Sequence, residues 1–249
     1  MSSRKEDYDY YHRTTLGSVF FKSVQEQGLL RALGRMMSFA KDLIVGRLLF
    51  LKKRRVFLFD GLPFQYFYAR YNKTWKNERA VEIPVFLQYL AQHHGKVLEV
   101  GQVLKHYASL QHEVLDKYER GAGILNEDAV HFVPQKKYDC VVSVSTMEHV
   151  GVDDNPVRPQ NAVAALKNIQ RQYLTPQGKL FISFPANYNL ALMQCIRHSR
   201  NIRCWYFRRF DRKKNLWKQA TFEDIRSVKG LPPEAVIFVE FIKKSEIRA

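Results

Sequence analysis

The chain has few cysteines, no signal-peptide core and no surplus of acids. Its three cysteines, Cys140, Cys195 and Cys204, lack paired metal-ligand spacing, and an odd number among 249 residues does not indicate a disulfide framework. We therefore expect a reducing compartment, with Cys140 as a small buried side chain inside an apolar run. Residues 1–15 are polar and contain no apolar region of the kind that signal peptides carry.

The chain also lacks a membrane-spanning run, because no stretch approaches the roughly 18 apolar, nearly uncharged residues that a bilayer requires. From Leu16 to Leu51 apolar residues recur at three- and four-residue steps between basic residues such as Arg31 and Lys41, which predicts one or two amphipathic helices. The basic cluster Lys52-Lys53-Arg54-Arg55 follows directly. This composition indicates a helix that lies on an anionic membrane, or alternatively one that docks on its own domain with a solvated basic end.

The chain has 24 acidic residues and 40 lysines and arginines, and the excess of positive charge is distributed unevenly along it. Residues 1–55 carry a net charge of +7, residues 56–190 of +1 and residues 191–249 of +8. This distribution indicates an anionic partner, either a membrane surface or a nucleic acid, outside a neutral central region. We predict an amphipathic basic N-terminal extension over residues 1–55 and one domain over residues 56–249.

Glycine is scarce where a dinucleotide would need it. The apolar strand Lys96–Val100 runs into Gly101, but the positions two and five further on hold Val103 and His106. Glycines at those positions would let the backbone approach a pyrophosphate. Since open α/β sheets bind their ligands at the carboxyl ends of buried parallel strands, this loop predicts a ligand without a diphosphate.

Three further short strands end in acidic or polar residues. His112–Asp116 ends in a carboxylate, which stands where a ribose diol is hydrogen-bonded. Gly123–Leu125 is followed by Asn126-Glu127-Asp128, and the strand that begins at Tyr138 runs into a polar cluster that ends at Glu148 and His149.

In this order the segments resemble those of the class I S-adenosylmethionine-dependent methyltransferases. The run VLEVG at 97–101 is similar to their first motif, and Asp116 to their ribose acid. Residues 126–128 are similar to their adenine-side motif, residues 138–150 to their fourth motif, and residues 174–185 to their Pro-Gly turn and fifth strand. The resemblance covers roughly residues 78 to 190. This sequence departs from the family pattern in the first motif, which keeps one glycine of the usual two or three. The loss is tolerable because the cofactor has no phosphate for the loop to bind.

The resemblance implies an α/β fold: a Rossmann-like, mostly parallel sheet with a terminal antiparallel strand pair, helices on both faces and an N-terminal helical extension. It also implies S-adenosyl-L-methionine as the cofactor. The residues expected to contact this cofactor are Glu99, Gly101, Asp116, Asn126, Glu127, Asp128, Ser143 and Ser145.

The candidate catalytic residues follow the fourth strand. His149, beside Glu148, is the expected general base for a hydroxyl acceptor, although a histidine here could instead cap the strand-to-loop turn. Some relatives hold a metal with a Glu-x-x-Glu-His arrangement, in which Asp153 could take part. Here Ser145 stands three positions before Glu148, so one ligand is missing and we expect no metal.

An aromatic stretch at 64–75 offers ring faces beside polar groups. Aromatic platforms with nearby donors hold sugars and other ring ligands, although aromatic residues also simply fill cores. We expect Tyr68, Tyr71, Asn72 and Trp75 to face the substrate. Asn77 is the predicted N-cap of a helix over 78–94.

These features favour a methyltransferase that acts on a small molecule or a saccharide- or lipid-linked acceptor. We expect it in the cytoplasm, peripherally on the inner face of the cell membrane. A nucleic-acid methyltransferase is the first alternative, favoured by charge, but Ser145-Thr146-Met147-Glu148 does not resemble the Asn-Pro-Pro-Tyr-type motif of enzymes that methylate base amino groups. A non-catalytic module that scaffolds a membrane complex is the second alternative.

Overall fold

A computed structural model describes residues 55–228 and 233–242, together with nine isolated positions between Gly28 and Leu48. The chain divides into two compact units, Met1–Lys52 and Lys53–Ala249. In the first unit every described position after Gly28 is helical. The rest of that pattern lies outside the described residues, as does the basic cluster before Arg55.

The second unit begins with a hairpin of β1 (Val56–Phe59) and β2 (Leu62–Gln65), joined by a turn at Asp60-Gly61. Eight further strands form one sheet in the spatial order β5-β4-β3-β6-β7-β10-β8-β9. Their bounds are β3 Val97–Val100, β4 Glu113–Leu115, β5 Ile124–Leu125, β6 Tyr138–Val144, β7 Leu174–Pro185, β8 Ile202–Asp211, β9 Leu216–Ala220 and β10 Ala235–Phe241.

The strands β3 to β7 are parallel, while β10 lies antiparallel between β7 and β8. The parallel part has the order 3-2-1-4-5 of a Rossmann-type sheet. This confirms the predicted fold class. β9 adds a third antiparallel strand at the edge, beyond the predicted pair.

Both faces of the sheet are buried, which explains why its central strands read as continuous apolar runs. Along β6, Val141 packs into the core on one side and Val142 into the core on the other. Helix α1 (Arg79–Ala91) covers one face, where Phe86 packs on Phe181 at a centroid distance of 4.6 Å. Helices α2 (Asn161–Asn168) and α3 (Leu190–His198) cover the other face, and a short α4 spans Phe222–Ile225.

Several boundaries differ from the expectations. The α1 helix ends three residues before the predicted His94, although Asn77 does accept a hydrogen bond from the backbone N–H of Arg79 at 3.1 Å, as a cap would. The α-helical part of α2 ends at Asn168 and is followed by one π-helical turn, Ile169–Tyr173. The Pro-Gly segment 176–178 is incorporated into β7 rather than forming a separate turn. No helix among the residues described is long and apolar enough to cross a membrane.

Candidate active site

The candidate site lies where the carboxyl ends of β4, β3 and β6 meet. The chain passes from β3 to β4 on one side, and β6 joins β3 on the other side. This reversal is the topological switch point at which open α/β sheets bind ligands. The predicted cofactor residues and the predicted base all end or follow β3, β4, β5 or β6.

The loop after β3 needs its single glycine. Gly101 has a φ of 85°, in the left-handed region, and its N–H donates to the Leu115 carbonyl at 2.9 Å. A Cβ at this position would lie 2.2 Å from Oγ1 and 2.7 Å from Cβ of Thr146, on the segment after β6. The glycine therefore serves a close approach between two loops as well as an unusual backbone angle.

The carboxylate of Glu99 holds the loop after β3 through hydrogen bonds to its backbone. Its side chain is fully buried, and Oε1 accepts hydrogen bonds from the N–H groups of Val103 at 2.8 Å and Leu104 at 2.6 Å. Its Oε2 lies 2.7 Å from Nε2 of His112. Glu99 thus caps the short 3₁₀ turn Leu104–His106. These bonds position the loop, and that Glu99 also contacts the cofactor stays a prediction.

Asp116 ties the ends of β3 and β4 together. Its Oδ2 accepts from the N–H of Gln102 at 3.0 Å, and its Oδ1 accepts from the N–H groups of Tyr118 and Glu119, each at 2.9 Å. A carboxylate has about four acceptor sites, so these three bonds leave capacity for a hydroxyl. The Asp116 carboxylate therefore lies at the glycine loop in a fixed orientation, with an acceptor site that suits a ribose hydroxyl.

The residues after β5 support the same edge. The Asn126 side-chain amide donates to three carbonyls of the β4–β5 connection, those of residues 116, 117 and 119. Asp128 accepts from the Val130 N–H at 2.9 Å and pairs with Lys117 at 3.0 Å, while Glu127 is exposed. Lys117 also bonds Asp154 and thereby lowers the pKa of that carboxyl. The structure brings all three predicted residues to the site edge.

The two serines of the fourth motif have different tasks. Ser143 is fully buried, and its hydroxyl donates to the Val100 carbonyl at 2.8 Å, which joins β6 to β3. Ser145 has a φ of 37° and donates to Oε1 of Glu82 at 2.6 Å. Ser183 of β7 donates to the same oxygen at 2.7 Å. The first turn of α1 is thereby fixed over the ends of β6 and β7.

His149 is held in a defined orientation. Its Nδ1 lies 2.8 Å from Oδ2 of Asp153 and 3.1 Å from the Tyr188 hydroxyl, and its ring packs on Tyr188 at a centroid distance of 4.7 Å. A carboxylate at Nδ1 favours the tautomer with the proton on that nitrogen, so Nε2 carries the lone pair. The His149 side chain is 40% exposed, within reach of a ligand.

Glu148, the neighbour of His149, is 1% exposed. Neither of its carboxyl oxygens has a hydrogen-bond partner within the described part of the chain. Oε1 lies 3.6 Å from Nε2 of His149, beyond hydrogen-bonding distance. Burial raises the pKa of Glu148 well above its ordinary value, with Glu82 and Glu78 adding to the effect. Asn189 fixes the turn by donating to the Glu148 carbonyl at 3.2 Å.

The aromatic stretch reaches the site through Tyr71. Its ring stacks on His106 at 4.5 Å and meets Tyr107 edge-on at 5.3 Å, so it lies against the glycine loop. Trp75 is buried, Tyr68 is half-buried with its pKa raised by burial, and Asn72 is exposed. That these four residues face a substrate stays a prediction.

Sequence reasoning missed Glu82 and Arg79, which pair at 2.9 Å, and it considered Asp153 only as a metal ligand. The sequence did contain a signal for Glu82. It is a glutamate inside the apolar run Ala80–Phe86, at a position that a helix buries together with its apolar neighbours, and a buried carboxylate needs polar partners. The partnership of Asp153 with His149 could have been inferred from their i, i+4 spacing. Within the described ranges no group of three or more His, Cys, Asp or Glu residues has the arrangement of a metal site.

No protein-family model and no curated protein matches the chain. Several solved structures resemble it, among them methyltransferases. The N-methyltransferase NodS of Bradyrhizobium japonicum, in complex with S-adenosyl-L-homocysteine, is 13% identical with a TM-score of 0.41, over 67% of this chain and 88% of that chain. A TehB-like S-adenosylmethionine-dependent methyltransferase of Corynebacterium glutamicum is 18% identical with a TM-score of 0.38, over 64% and 86%. Likeness at this level carries no argument about reaction or acceptor, which rest on the site.

Proposed function

We propose that this protein is an S-adenosyl-L-methionine-dependent methyltransferase for a small-molecule or saccharide- or lipid-linked acceptor at the cytoplasmic face of a membrane. The observation that carries the proposal is the position of Asp116. Its oriented carboxylate contacts the Gly101 loop at the switch point of a Rossmann-type sheet, and that loop lacks the glycines of a diphosphate site. A nucleoside without phosphate fits these residues.

The acceptor side of the proposal rests on His149. The bound cofactor would supply a methyl group on a sulfonium. His149, with its Nδ1 proton facing Asp153, would take the acceptor's proton at Nε2. A base in this position contributes about 10²–10⁴-fold to rate, and alignment of acceptor and methyl group contributes the rest.

The cofactor proposal is tested by calorimetry with S-adenosylhomocysteine on wild type and Asp116→Asn. One charge-assisted hydrogen bond contributes about 1.5–3 kcal/mol, so we expect affinity to fall at least tenfold. Asp139→Asn is the matched control, because Asp139 also accepts a backbone N–H, that of Lys96 at 2.9 Å, but at the opposite end of β6. If wild type fails to bind, or both variants bind as it does, the cofactor proposal is wrong and a non-catalytic module becomes the better account.

The membrane part of the proposal is supported by exposed apolar side chains next to basic charge. In the β1–β2 hairpin, Phe57 and Phe59 point into the core, whereas Val56, Leu58 and Leu62 are 54–59% exposed directly after the basic run 52–55. Among the described residues of the first unit, five apolar side chains are also exposed: Leu29, Leu33, Met37, Ile44 and Leu48. Apolar faces beside basic charge fit an anionic lipid surface.

Vesicle sedimentation tests this part. We expect the protein to pellet with phosphatidylserine vesicles more than with phosphatidylcholine vesicles, and less at high salt. The triple variant Val56→Ser, Leu58→Ser, Leu62→Ser should lose binding, while Val133→Ser, an equally exposed apolar residue outside the hairpin, should keep it. Equal pelleting of both variants, or stronger retention on nucleic acid than on vesicles, would contradict a lipid-facing surface.

A further inference from the structure

A buried acidic cluster faces the end of β6. It is formed by Glu78 at the start of α1, Glu82 one turn later and Glu148 on the 3₁₀ turn after β6, all of them 8% exposed or less. Their charges interact with one another and with Arg79, and Glu78 also interacts with Arg209, which is itself paired with Glu234.

The partners within this cluster are unevenly distributed. The Glu82 carboxylate pairs with Arg79 and accepts hydrogen bonds from the hydroxyls of Ser145 and Ser183, so both of its oxygens have partners. Oε2 of Glu78 and both oxygens of Glu148 have no hydrogen-bond partner among the residues that the structure describes. A buried carboxyl without partners is costly to a fold, so such a group calls for a partner that arrives with a ligand.

We propose, on the basis of the methyltransferase function above, that the acceptor is a primary or secondary amine that binds as its ammonium against Glu148 and Glu78. An ammonium supplies a positive charge beside these carboxyls together with two or three N–H donors. A hydroxyl would supply one donor and no charge, and would leave most of these oxygens without partners. Arg79 does not fill this role, because Glu82 already holds its guanidinium at 2.9 Å.

The chemistry follows from the distance between Glu148 and His149. An ammonium held at Glu148 lies near Nε2 of His149, which is 3.6 Å from Oε1. Nε2 takes one proton from the ammonium, and the freed nitrogen lone pair forms the new N–C bond as the S–C bond breaks. That bonding pair passes to sulfur, which becomes neutral, so the positive charge moves from sulfur to the methylated nitrogen. His149 then returns its proton to water.

The electrostatics of the cluster add a measurable signature. Burial raises the pKa of Glu148, and the nearby carboxylates Glu82 and Glu78 raise it further, whereas the positive charge of Arg79 lowers it. His149 is the neighbouring residue on the same turn. The protonated form of Glu148 is therefore favoured, relative to an exposed carboxyl, when no ligand is bound. A bound cation stabilises the ionised form, so binding should release a proton.

The test is calorimetry of protein saturated with S-adenosylhomocysteine, titrated with ethylammonium chloride or with ethanol at constant ionic strength. We expect ethylammonium to bind at least tenfold more tightly than ethanol, with proton release at some pH between 5 and 9, measured at each pH in two buffers of different ionisation enthalpy. Glu148→Gln should abolish the release and reduce the binding of ethylammonium to the level of ethanol. Glu240→Gln, which changes a β10 acid that accepts a hydrogen bond from Tyr89, should preserve both.

Equal binding of the two probes, binding of neither, or unchanged ethylammonium binding by Glu148→Gln would overturn the amine inference. The S-adenosylhomocysteine titration in the same samples keeps the two proposals separate. If that ligand binds and ethylammonium does not, only the amine acceptor is wrong. If S-adenosylhomocysteine itself fails to bind, the proposed function is wrong.

Discussion

Replacing Gly101 with alanine should damage both stability and the cofactor loop. The φ of 85° costs an L-residue about 1–2 kcal/mol. The new Cβ would also lie 2.2 Å from Oγ1 and 2.4 Å from Cγ2 of Thr146. Relief of such an overlap in a packed region costs about 1–3 kcal/mol, so we expect a total loss of about 2–5 kcal/mol in the free energy of unfolding.

The chain offers a control that isolates the overlap. Gly61, in the β1–β2 turn, has a φ of 77°, but a Cβ there would meet nothing within 4 Å. Gly61→Ala should therefore lose only the backbone contribution, about 1–2 kcal/mol. The difference between the two variants, about 1–3 kcal/mol, measures the contact between the loops after β3 and β6.

Denaturant unfolding of both variants, with S-adenosylhomocysteine calorimetry on each, measures these effects. Thr146→Ala removes Oγ1 and Cγ2, so in the double variant with Gly101→Ala it should restore at least about 1 kcal/mol as a coupling energy. We expect weaker ligand binding for Gly101→Ala and unchanged binding for Gly61→Ala. Equal destabilisation by the two alanines, or a coupling energy near zero, would refute the claim that these loops meet at Gly101.

Two further outcomes are expected. His149→Ala should lower turnover by about 10²–10⁴-fold in steady-state assays, because a base acts only in the transition state. The cofactor affinity of this variant should stay within about threefold of wild type. A joint loss of stability and cofactor binding would instead show that His149 is a structural residue. Glu148→Gln should become more stable relative to wild type as pH rises. Since the pKa of Glu148 is raised above 4.5 in the folded state, its proton stabilises the fold at low pH, and that contribution is lost as pH climbs from about 4.5 toward the raised value. Unfolding curves from pH 4 to 9 that show a constant difference would contradict this sign.

The sequence alone determined the parallel sheet and the position of the site within it. Apolar runs at 97–100 and 138–144 could be buried only between two layers of helices, and an acid at the end of a parallel strand must lie at the ligand edge. These are local properties. Apolar patterning and turn residues predicted the individual strands, and the resemblance to class I methyltransferases then implied the sheet and the places of Gly101, Asp116 and His149 in it.

The tertiary structure alone decided what the polar side chains do. Glu99 and Ser143 belong to site motifs, yet Glu99 caps a turn by accepting from the Leu104 N–H, and Ser143 joins two strands by donating to the Val100 carbonyl. Glu82 and Glu148 are 66 positions apart in the chain and share one buried cluster only because α1 packs across the end of β6. Long-range pairing and desolvation arise from packing, and no local pattern encodes which buried carboxyl is left without a partner.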